Sequence, residues 1–156
     1  MKASAACRDY IRRKERLELT AYRDTAGVLT IGWGHTGPDV HPGDVIDMAQ
    51  AQTLFDTDVA EAEAEVDRVI TVDLTQGMYD CLISFEFNTG GLEFIDRAGR
   101  VAPSRLLRAL NAGRWNDAVE ELVCWNIAGG VDLRGLLTRR LEEGLMFTSE
   151  RYPDIP

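Results

Sequence analysis

Two carboxyl side chains and one hydroxyl near the N-terminus are the residues of this chain best suited to acid–base chemistry. Glu15 falls at the end of a predicted helix, Asp24 at the end of a predicted strand, and Thr30 within the next strand. A three-residue turn at 25–27 would place Asp24 opposite Val28, with Thr30 two positions along on the same face. A water molecule held between the carboxylate of Asp24 and the hydroxyl of Thr30 would then be positioned for hydrolysis.

Glu15 is expected to lie in a different environment from Asp24. It continues the apolar stripe of its helix and lies near the helix C-terminus, where the macrodipole disfavours negative charge. Partial burial would favour the protonated form as well, whereas Lys14 and Arg16 would favour the ionised form, so the balance stays open from sequence. A protonated carboxyl beside an ionised one is the pair that glycoside hydrolysis needs, as general acid and as base or nucleophile.

The elements that position these groups form an α+β fold that is mostly helical. Apolar spacing predicts a first helix at 3–16, and two β-suited runs at 17–24 and 28–35 around a glycine-ending turn predict a hairpin. The Ala/Glu/Val pattern at 47–70 contains no helix breaker, so it predicts a long helix with its acidic residues mostly outward.

The rest of the chain is predicted to be helical. Helices are predicted at 75–87, 103–112, 115–126 and 134–148, with Gly90-Gly91, Gly113 and Gly129-Gly130 as breaks. The whole chain, 1–156, is expected to be one domain with a small sheet-bearing N-terminal lobe (about 1–46), a connecting helix (47–70) and a helical C-terminal lobe (71–156). A cleft between two such lobes is a usual place for a ligand.

Composition and charge exclude several classes of function. The chain has 156 residues and a net charge of −9, with +3 over residues 1–24 and −9 over residues 39–73. An acidic total disfavours sequence-independent nucleic-acid binding, so no nucleic-acid partner is expected. Two interpretations of the basic segment stay open, a surface for an anionic polymer and a solvated helix face.

Metal, redox and membrane functions are not indicated. His35 and His41 have no paired ligands for zinc, and no cofactor is expected. The odd number of cysteines, Cys7, Cys81 and Cys124, predicts reduced and buried thiols. The longest low-charge stretch, 25–38, is too short to span a bilayer, and the charged residues that follow Cys7 argue against a secretory signal.

The candidate residues belong to a longer run. After Glu15 it reads Leu17-x-x-x-x-Tyr22-x-Asp24 and then Gly27-x-x-Thr30-Ile31-Gly32-x-Gly34-His35. It resembles the N-terminal motif of the phage-type lysozymes, the endolysins of glycoside hydrolase family 24, with every polar motif position filled. The likeness extends over about residues 8–148. Two further motifs of the family are matched by Leu74-Thr75-Gln76-Gly77 and by Phe85-x-Phe87-Asn88-x-Gly90. A closing run is matched from Trp125-Asn126 through Gly129-Gly130 and Gly135-Leu136 to Arg139-Arg140.

The resemblance implies a lysozyme-like fold and cleavage of peptidoglycan between N-acetylmuramic acid and N-acetylglucosamine, for bacterial cell lysis. Glu15 would be the general acid, Asp24 would orient or activate the water, and Thr30 would help to hold it. Better-known members invert the anomeric centre, which needs the two carboxyls roughly 6.5–9.5 Å apart. The protein would be made in the cytoplasm as a monomer without stable membrane insertion and would reach the wall in the periplasm through a partner such as a phage holin.

Other motif residues have weaker assignments. Gly34, Phe87 and Asn88 are candidates for contact with the sugar rings, against the alternatives of strand packing, a core phenylalanine and a helix-terminal asparagine. His35 is expected to pair with an acid of the connecting helix such as Asp67 or Asp73 and to be a pH-linked stabiliser. The remaining residues singled out are expected to be structural: Trp33, Trp115 and Trp125 mostly in the core, Arg139 and Arg140 in ion pairs, and Ser104 at a helix start.

Two departures from the family pattern motivate an alternative function. Arg16 stands where the family commonly has glycine, and a guanidinium beside Glu15 would oppose proton donation. The acidic total charge is also unfavourable for acting on an anionic wall. The alternative is a catalytically silent lysozyme-fold module for binding or scaffolding.

Overall fold

The computed structural model describes residues 1–24, 26–128, 131–132, 134–149 and 151–152. The chain forms two compact units. One consists of residues 8–61, and the other of residues 1–7 together with the chain from Ala62 onward. The division into lobes at 1–46, 47–70 and 71–156 stays a prediction.

Most of the first helix and a small sheet lie within the unit of residues 8–61. Helix α1 (Ala5–Lys14) precedes strands β1 (Glu18–Arg23), β2 (Leu29–Gly32) and β3 (His35–Thr36), which pair antiparallel in the order β1-β2-β3. The Ser4 hydroxyl accepts a hydrogen bond from the Cys7 amide at 3.1 Å, so it caps the start of α1. The helix and the hairpin are confirmed, but the helix is shorter at both ends than the predicted 3–16, and the predicted strand 28–35 ends at Gly32, with His35 in a separate strand.

Aromatic and aliphatic side chains form the core of this unit. Its buried apolar residues are Tyr10 and Ile11 of α1, Ile31 of β2, Val40 after β3, and Ala51, Phe55 and Val59 of the following long helix. Trp33 packs edge-on against Phe55, with ring centroids 5.6 Å apart, and the guanidinium of Arg12 lies 4.4 Å from the Phe55 ring centroid. The basic face of α1 is thus partly used in packing the unit.

The long helix α2 (Met48–Val69) matches the predicted 47–70 and contributes to both units. Asp47 and Gln50 cap its start reciprocally, because each backbone N–H donates to the side chain of the other residue, at 2.9 and 2.8 Å. Its acidic residues mostly face outward, and Glu63 is the buried exception, at 4% exposure.

Residues 1–7 hydrogen-bond to residues of their own unit that lie far along the chain. The Glu63 carboxylate accepts from the Ala3 amide at 2.8 Å and pairs with the Lys2 ammonium. The Asp80 carboxylate accepts from the Ser4 amide at 3.0 Å, and the Cys7 thiol donates to the Asp80 carbonyl at 3.3 Å. These contacts tie the first seven residues to segments more than 55 positions later in the chain.

Four helices carry most of the second unit. They are α3 (Gln76–Thr89), α4 (Arg105–Asn111), α5 (Trp115–Val123) and α6 (Arg134–Ser149), close to the predicted limits. Thr75 and Ser104 cap α3 and α4 with their hydroxyls, as predicted for Ser104. Gly90 ends α3 with a φ of +57°, a left-handed conformation that favours glycine. Trp125 packs edge-on against Phe85, with centroids 5.3 Å apart.

Four short strands in this unit were not predicted. Strands β4 (Glu93–Ile95) and β5 (Val101–Pro103) form an antiparallel hairpin, and β6 (Ile127–Ala128) pairs with β7 (Val131–Asp132). Phe94, Ile95 and Val101 are exposed, so the first hairpin lacks the buried face that produces a clear alternating pattern. The predicted break at Gly129-Gly130 lies outside the described residues.

The cysteine prediction is correct for two residues and wrong for the third. None of the three cysteines, all of which are described, is in a disulfide; Cys7 and Cys81 are buried, but Cys124 is exposed just after α5. Within the described ranges, no helix combines the length and the apolar character needed to cross a bilayer.

Candidate active site

Glu15 is placed by the end of α1. The helix ends at Lys14, and the Glu15 amide still donates to the Ile11 carbonyl at 2.9 Å, so the residue is held at the helix C-terminus. Gly34, between β2 and β3, comes close to its carboxyl group. A Cβ atom at Gly34 would lie 3.5 Å from Glu15 Oε2, and the φ of +87° at Gly34 also favours glycine. Gly34 therefore leaves the space beside this carboxyl open.

Asp24 is fixed by the hairpin turn. It follows β1 directly, and its amide donates to the Val28 carbonyl at 2.9 Å, which matches the predicted pairing of these two residues. Its Oδ1 atom accepts from the amides of Ala26 at 2.9 Å and Val28 at 2.7 Å. These two amides fix the orientation of the carboxylate. Oδ2 has no partner in the described ranges and remains open to a ligand or water.

Thr30 lies on the same face of the sheet as Asp24. The register pairs Thr30 with Tyr22 and Leu29 with Arg23, so Asp24 is the diagonal neighbour of Thr30. The Thr30 side chain is buried, and its hydroxyl donates to the Val28 carbonyl at 3.1 Å. Because its hydrogen is used in this way, the Thr30 oxygen is available as an acceptor.

Tyr22 completes this face and was not singled out from the sequence as a functional residue. It lies directly opposite Thr30 and two residues before Asp24. Burial raises the pKa of its phenol, and the negative charges of Glu15, Glu18 and Asp24 raise it further against the opposing effect of Arg16. The i, i+2 relation to Asp24 along a strand is the sequence signal that would have found it.

Arg16, the main departure from the family motif, forms an ion pair with a neighbouring acidic residue. Its guanidinium pairs with the carboxylate of Glu18 at the start of β1. The guanidinium is largely exposed, since 86% of the side chain is accessible to solvent. Its charge is therefore screened by solvent and shared with Glu18.

His35 pairs with two carboxylates, but not with the predicted ones. Its Nδ1 lies 2.8 Å from Asp58 of α2, and its Nε2 lies 3.2 Å from Asp39. The prediction of a partner on the long helix is confirmed, whereas Asp67 and Asp73 are the wrong residues. Burial lowers the pKa of His35, but the hydrogen bonds and charges of Asp58 and Asp39 raise it by more, so the net shift is upward.

We expect His35→Asn to destabilise the protein in a pH-dependent way. Because the pKa of His35 is raised on folding, its stabilisation is fully present below the unfolded value of about 6.5 and is lost as the pH rises through the folded value. The loss should be about 1–2 kcal/mol near pH 5.5 and should shrink in alkaline solution. Thermal unfolding of both proteins from pH 5.5 to 9 measures it.

The matched control for this prediction is His41→Asn. The His41 side chain is 69% exposed and lies 3.5 Å from Asp44, so its loss should change stability little at any pH. A destabilisation by His35→Asn that is the same at all pH values would show that packing, not the charge of His35, stabilises the protein.

Phe87 and Asn88 lie near the end of α3, in the other unit, and both are half-buried. The Asn88 side-chain oxygen accepts from Arg140 Nη2 at 2.7 Å. Arginine has donors only, so this contact fixes the amide with its nitrogen turned away from Arg140. The sugar contacts predicted for both residues stay a proposal.

A buried network of ion pairs holds Arg140, the hydrogen-bond partner of Asn88. The Glu143 carboxylate accepts from the Ser84 hydroxyl at 2.7 Å, from Arg139 Nε at 3.2 Å and from Arg140 Nη2 at 3.3 Å. The side chains of Arg140 and Glu143 are fully buried, and that of Arg139 is 6% exposed. The predicted ion pairs of Arg139 and Arg140 are therefore confirmed.

The sequence matches the family model of phage lysozyme over residues 12–143. The chain belongs to the phage lysozyme family. This chain is similar in structure to an endolysin from Escherichia coli O157:H7 phage FAHEc1, with a TM-score of 0.80, 32% identity, and coverage of 99% of this chain and 98% of that chain. The expected lysozyme-like fold is thereby confirmed.

Two relatives with assigned names are endolysins. The endolysin of Bacillus phage B103 is 39% identical over 94% of this chain and 54% of its own length. The SAR-endolysin of bacteriophage PS119 is 35% identical over 81% of this chain and 71% of its own length. The chain therefore spans little more than half the length of the Bacillus phage endolysin it matches.

Proposed function

We propose that this chain is a muramidase that hydrolyses the β-1,4 bond between N-acetylmuramic acid and N-acetylglucosamine in peptidoglycan. The arrangement of Asp24 and Thr30 supports this proposal most directly. An amide-held carboxylate with one open oxygen lies beside a hydroxyl that is free to accept, on one face of a sheet. Glu15, held at a helix end in the same compact unit, supplies the second carboxyl.

In this proposal Asp24 and Thr30 orient the attacking water. The water donates one hydrogen to Asp24 Oδ2 and the other to the Thr30 oxygen, since both are acceptors. Its lone pair is then directed at the anomeric carbon, and Asp24 takes up the proton as the bond to the sugar forms. Glu15 gives its proton to the glycosidic oxygen as the bond to the leaving sugar breaks, so one proton is gained and one lost by the enzyme.

Substrate binding is assigned to three further residues. Gly34 leaves room beside Glu15 for the sugar that carries the leaving oxygen. Phe87 would contact the apolar face of a sugar ring, and Asn88 would donate from the nitrogen that Arg140 leaves free. No metal ion or cofactor takes part in these steps.

The biological setting is proposed from the relatives. Endolysin is the name of the relatives in Bacillus phage B103 and phage FAHEc1, so we infer a role in bacterial lysis through the cell wall. The protein would reach the wall with a membrane-permeabilising partner such as a holin. The SAR-endolysin of phage PS119 marks a second route of release among the relatives, and either route is compatible with the same chemistry at the wall.

Analysis of the reducing ends tests the function. Purified peptidoglycan is incubated with the protein, the new ends are reduced with borohydride, and the sugar alcohols are identified by mass spectrometry. A muramidase leaves muramitol at the new ends, whereas cleavage of the other glycosidic bond leaves glucosaminitol. Muramitol is the expected product; glucosaminitol alone would refute the assigned bond, and binding without new ends would favour the silent module.

A further inference from the structure

Tyr22 lies on the sheet face of the candidate active site and takes no part in the steps proposed above. It is directly opposite Thr30, and Asp24 follows two residues later on the same strand. Side chains related in these two ways point to the same face of a sheet. The phenol, the Thr30 hydroxyl and the Asp24 carboxylate therefore share one face of the sheet.

Both candidate catalytic carboxyls influence the pKa of Tyr22. The negative charges of Glu15 and Asp24 both act on its phenol, with burial as the largest influence, and together they raise the pKa of the group. The phenol is therefore neutral throughout the pH range in which carboxyl groups act as acid and base. It can donate a hydrogen bond but does not exchange its proton during the reaction.

The Tyr22 hydroxyl has no structural task that the described residues reveal. Other tyrosines use theirs, since Tyr79 donates to the Met1 carbonyl at 3.2 Å and Tyr152 donates to the Asp80 carboxylate. In the described part of the chain, no residue hydrogen-bonds to the Tyr22 hydroxyl, and the residue is 37% exposed. An aromatic ring with an unused polar end, on the face that holds Asp24 and Thr30, is suited to a ligand that is itself part apolar and part polar.

We propose that Tyr22 is a substrate-positioning residue that contacts the sugar held between Glu15 and Asp24. This inference rests on the proposed function. The ring packs on the apolar face of the sugar, and the hydroxyl donates to one of its oxygens. Both contacts hold the anomeric carbon in line with the water at Asp24, and misplacement by about 1 Å can cost about 100-fold in rate.

The first test is Tyr22→Phe, which keeps the ring and removes the hydroxyl. We expect kcat/KM on soluble peptidoglycan fragments to fall about tenfold and the pH limits of activity to stay in place, because Tyr22 does not titrate there. Tyr22→Ala should lose about 100-fold. The melting temperature of Tyr22→Phe should match the wild type, since the hydroxyl bonds no described residue.

Tyr152→Phe is the matched control, because it removes the same hydroxyl from a structural hydrogen bond to Asp80. It should lower the melting temperature and leave kcat/KM unchanged. Wild-type kcat/KM in Tyr22→Phe would overturn the proposal, and so would a displaced pH limit, which would make Tyr22 an acid or base.

A binding measurement separates this inference from the proposed function. Glu15→Gln and the double variant Glu15→Gln/Tyr22→Phe are titrated with the same fragments. Weaker binding by about tenfold in the double variant supports the sugar contact even if the wild type proves to release no sugar. Equal affinity of the two variants would show that the Tyr22 hydroxyl does not contact the substrate, and wild-type kcat/KM in Tyr22→Ala would exclude the ring contact as well.

Discussion

Glu15→Gln is expected to lower sugar release from peptidoglycan by about 10²–10⁴-fold, the range that general acid catalysis contributes. Glutamine keeps the shape of the side chain but cannot give a proton to the glycosidic oxygen. The residue lies at a helix end beside Gly34, outside the buried core, so the free energy of unfolding should change by less than about 1 kcal/mol. Reducing-end release and thermal unfolding of the same preparations measure the two effects.

Glu18→Gln is the matched control for this variant. It makes the same change of charge three residues later, on β1, where the carboxylate pairs with Arg16. It should keep most of the activity, because Glu18 has no part in the proposed chemistry. Sugar release by Glu15→Gln at the wild-type rate would mean that another group protonates the leaving oxygen.

The second large effect concerns stability. Glu143→Ala is expected to lower the free energy of unfolding by about 3–5 kcal/mol, because it leaves the guanidiniums of Arg139 and Arg140 buried without their carboxylate. The Ser84 hydroxyl would lose its acceptor as well. A loss of this size is a large part of the stability of a small protein. Urea unfolding followed by circular dichroism measures it.

Two further variants complete this experiment. Glu120→Ala, at an exposed position on α5, should change the free energy of unfolding by less than about 0.5 kcal/mol. Glu143→Gln should fall between Glu120→Ala and Glu143→Ala, because an amide oxygen still accepts from Ser84 and the arginines but carries no charge. A loss below about 1 kcal/mol in Glu143→Ala would show that the two arginines find other partners.

Local signals in the sequence were sufficient for the helices and for the hairpin that carries the site. The hairpin register follows from a turn of fixed length that ends in Gly27, whose φ is +82°, so the positions of Asp24 and Thr30 could be derived before the structure. The long helix has no breaker between its cap and Val69. Ser104 was identified correctly because a hydroxyl before a helix has few other roles.

Partners that depend on tertiary packing could not be derived in this way. The acid that meets His35 depends on which turn of α2 passes the sheet, and sequence separation does not determine that turn. Asp58 therefore replaces Asp67 and Asp73 as its partner. Cys124 lies one residue beyond α5, where the side-chain direction depends on how the helix ends. Hairpin β4–β5 was not predicted, because its apolar residues face solvent and give no clear alternating pattern.

The candidate site likewise combines features that the sequence predicts with contacts that only the structure shows. Its carboxyl groups could be derived from type and spacing, but Tyr22 required the observed register, which places it opposite Thr30. The environment of Arg16 also required the structure, since only there does its guanidinium pair with Glu18. The orientation of the Asn88 amide follows from Arg140, 52 residues later, and no local pattern contains that information.

The attachment of residues 1–7 to later segments has a consequence for folding during synthesis. Residues 8–61 are contiguous, so all of that unit is synthesised before Glu63 and Asp80 have been added to the chain. The first seven residues leave the ribosome sooner still, yet their partners Glu63 and Asp80 arrive only later. The contacts of residues 1–7 with Glu63 and Asp80 can therefore form only after residues 8–61 have been synthesised, although the segment itself is made before that unit.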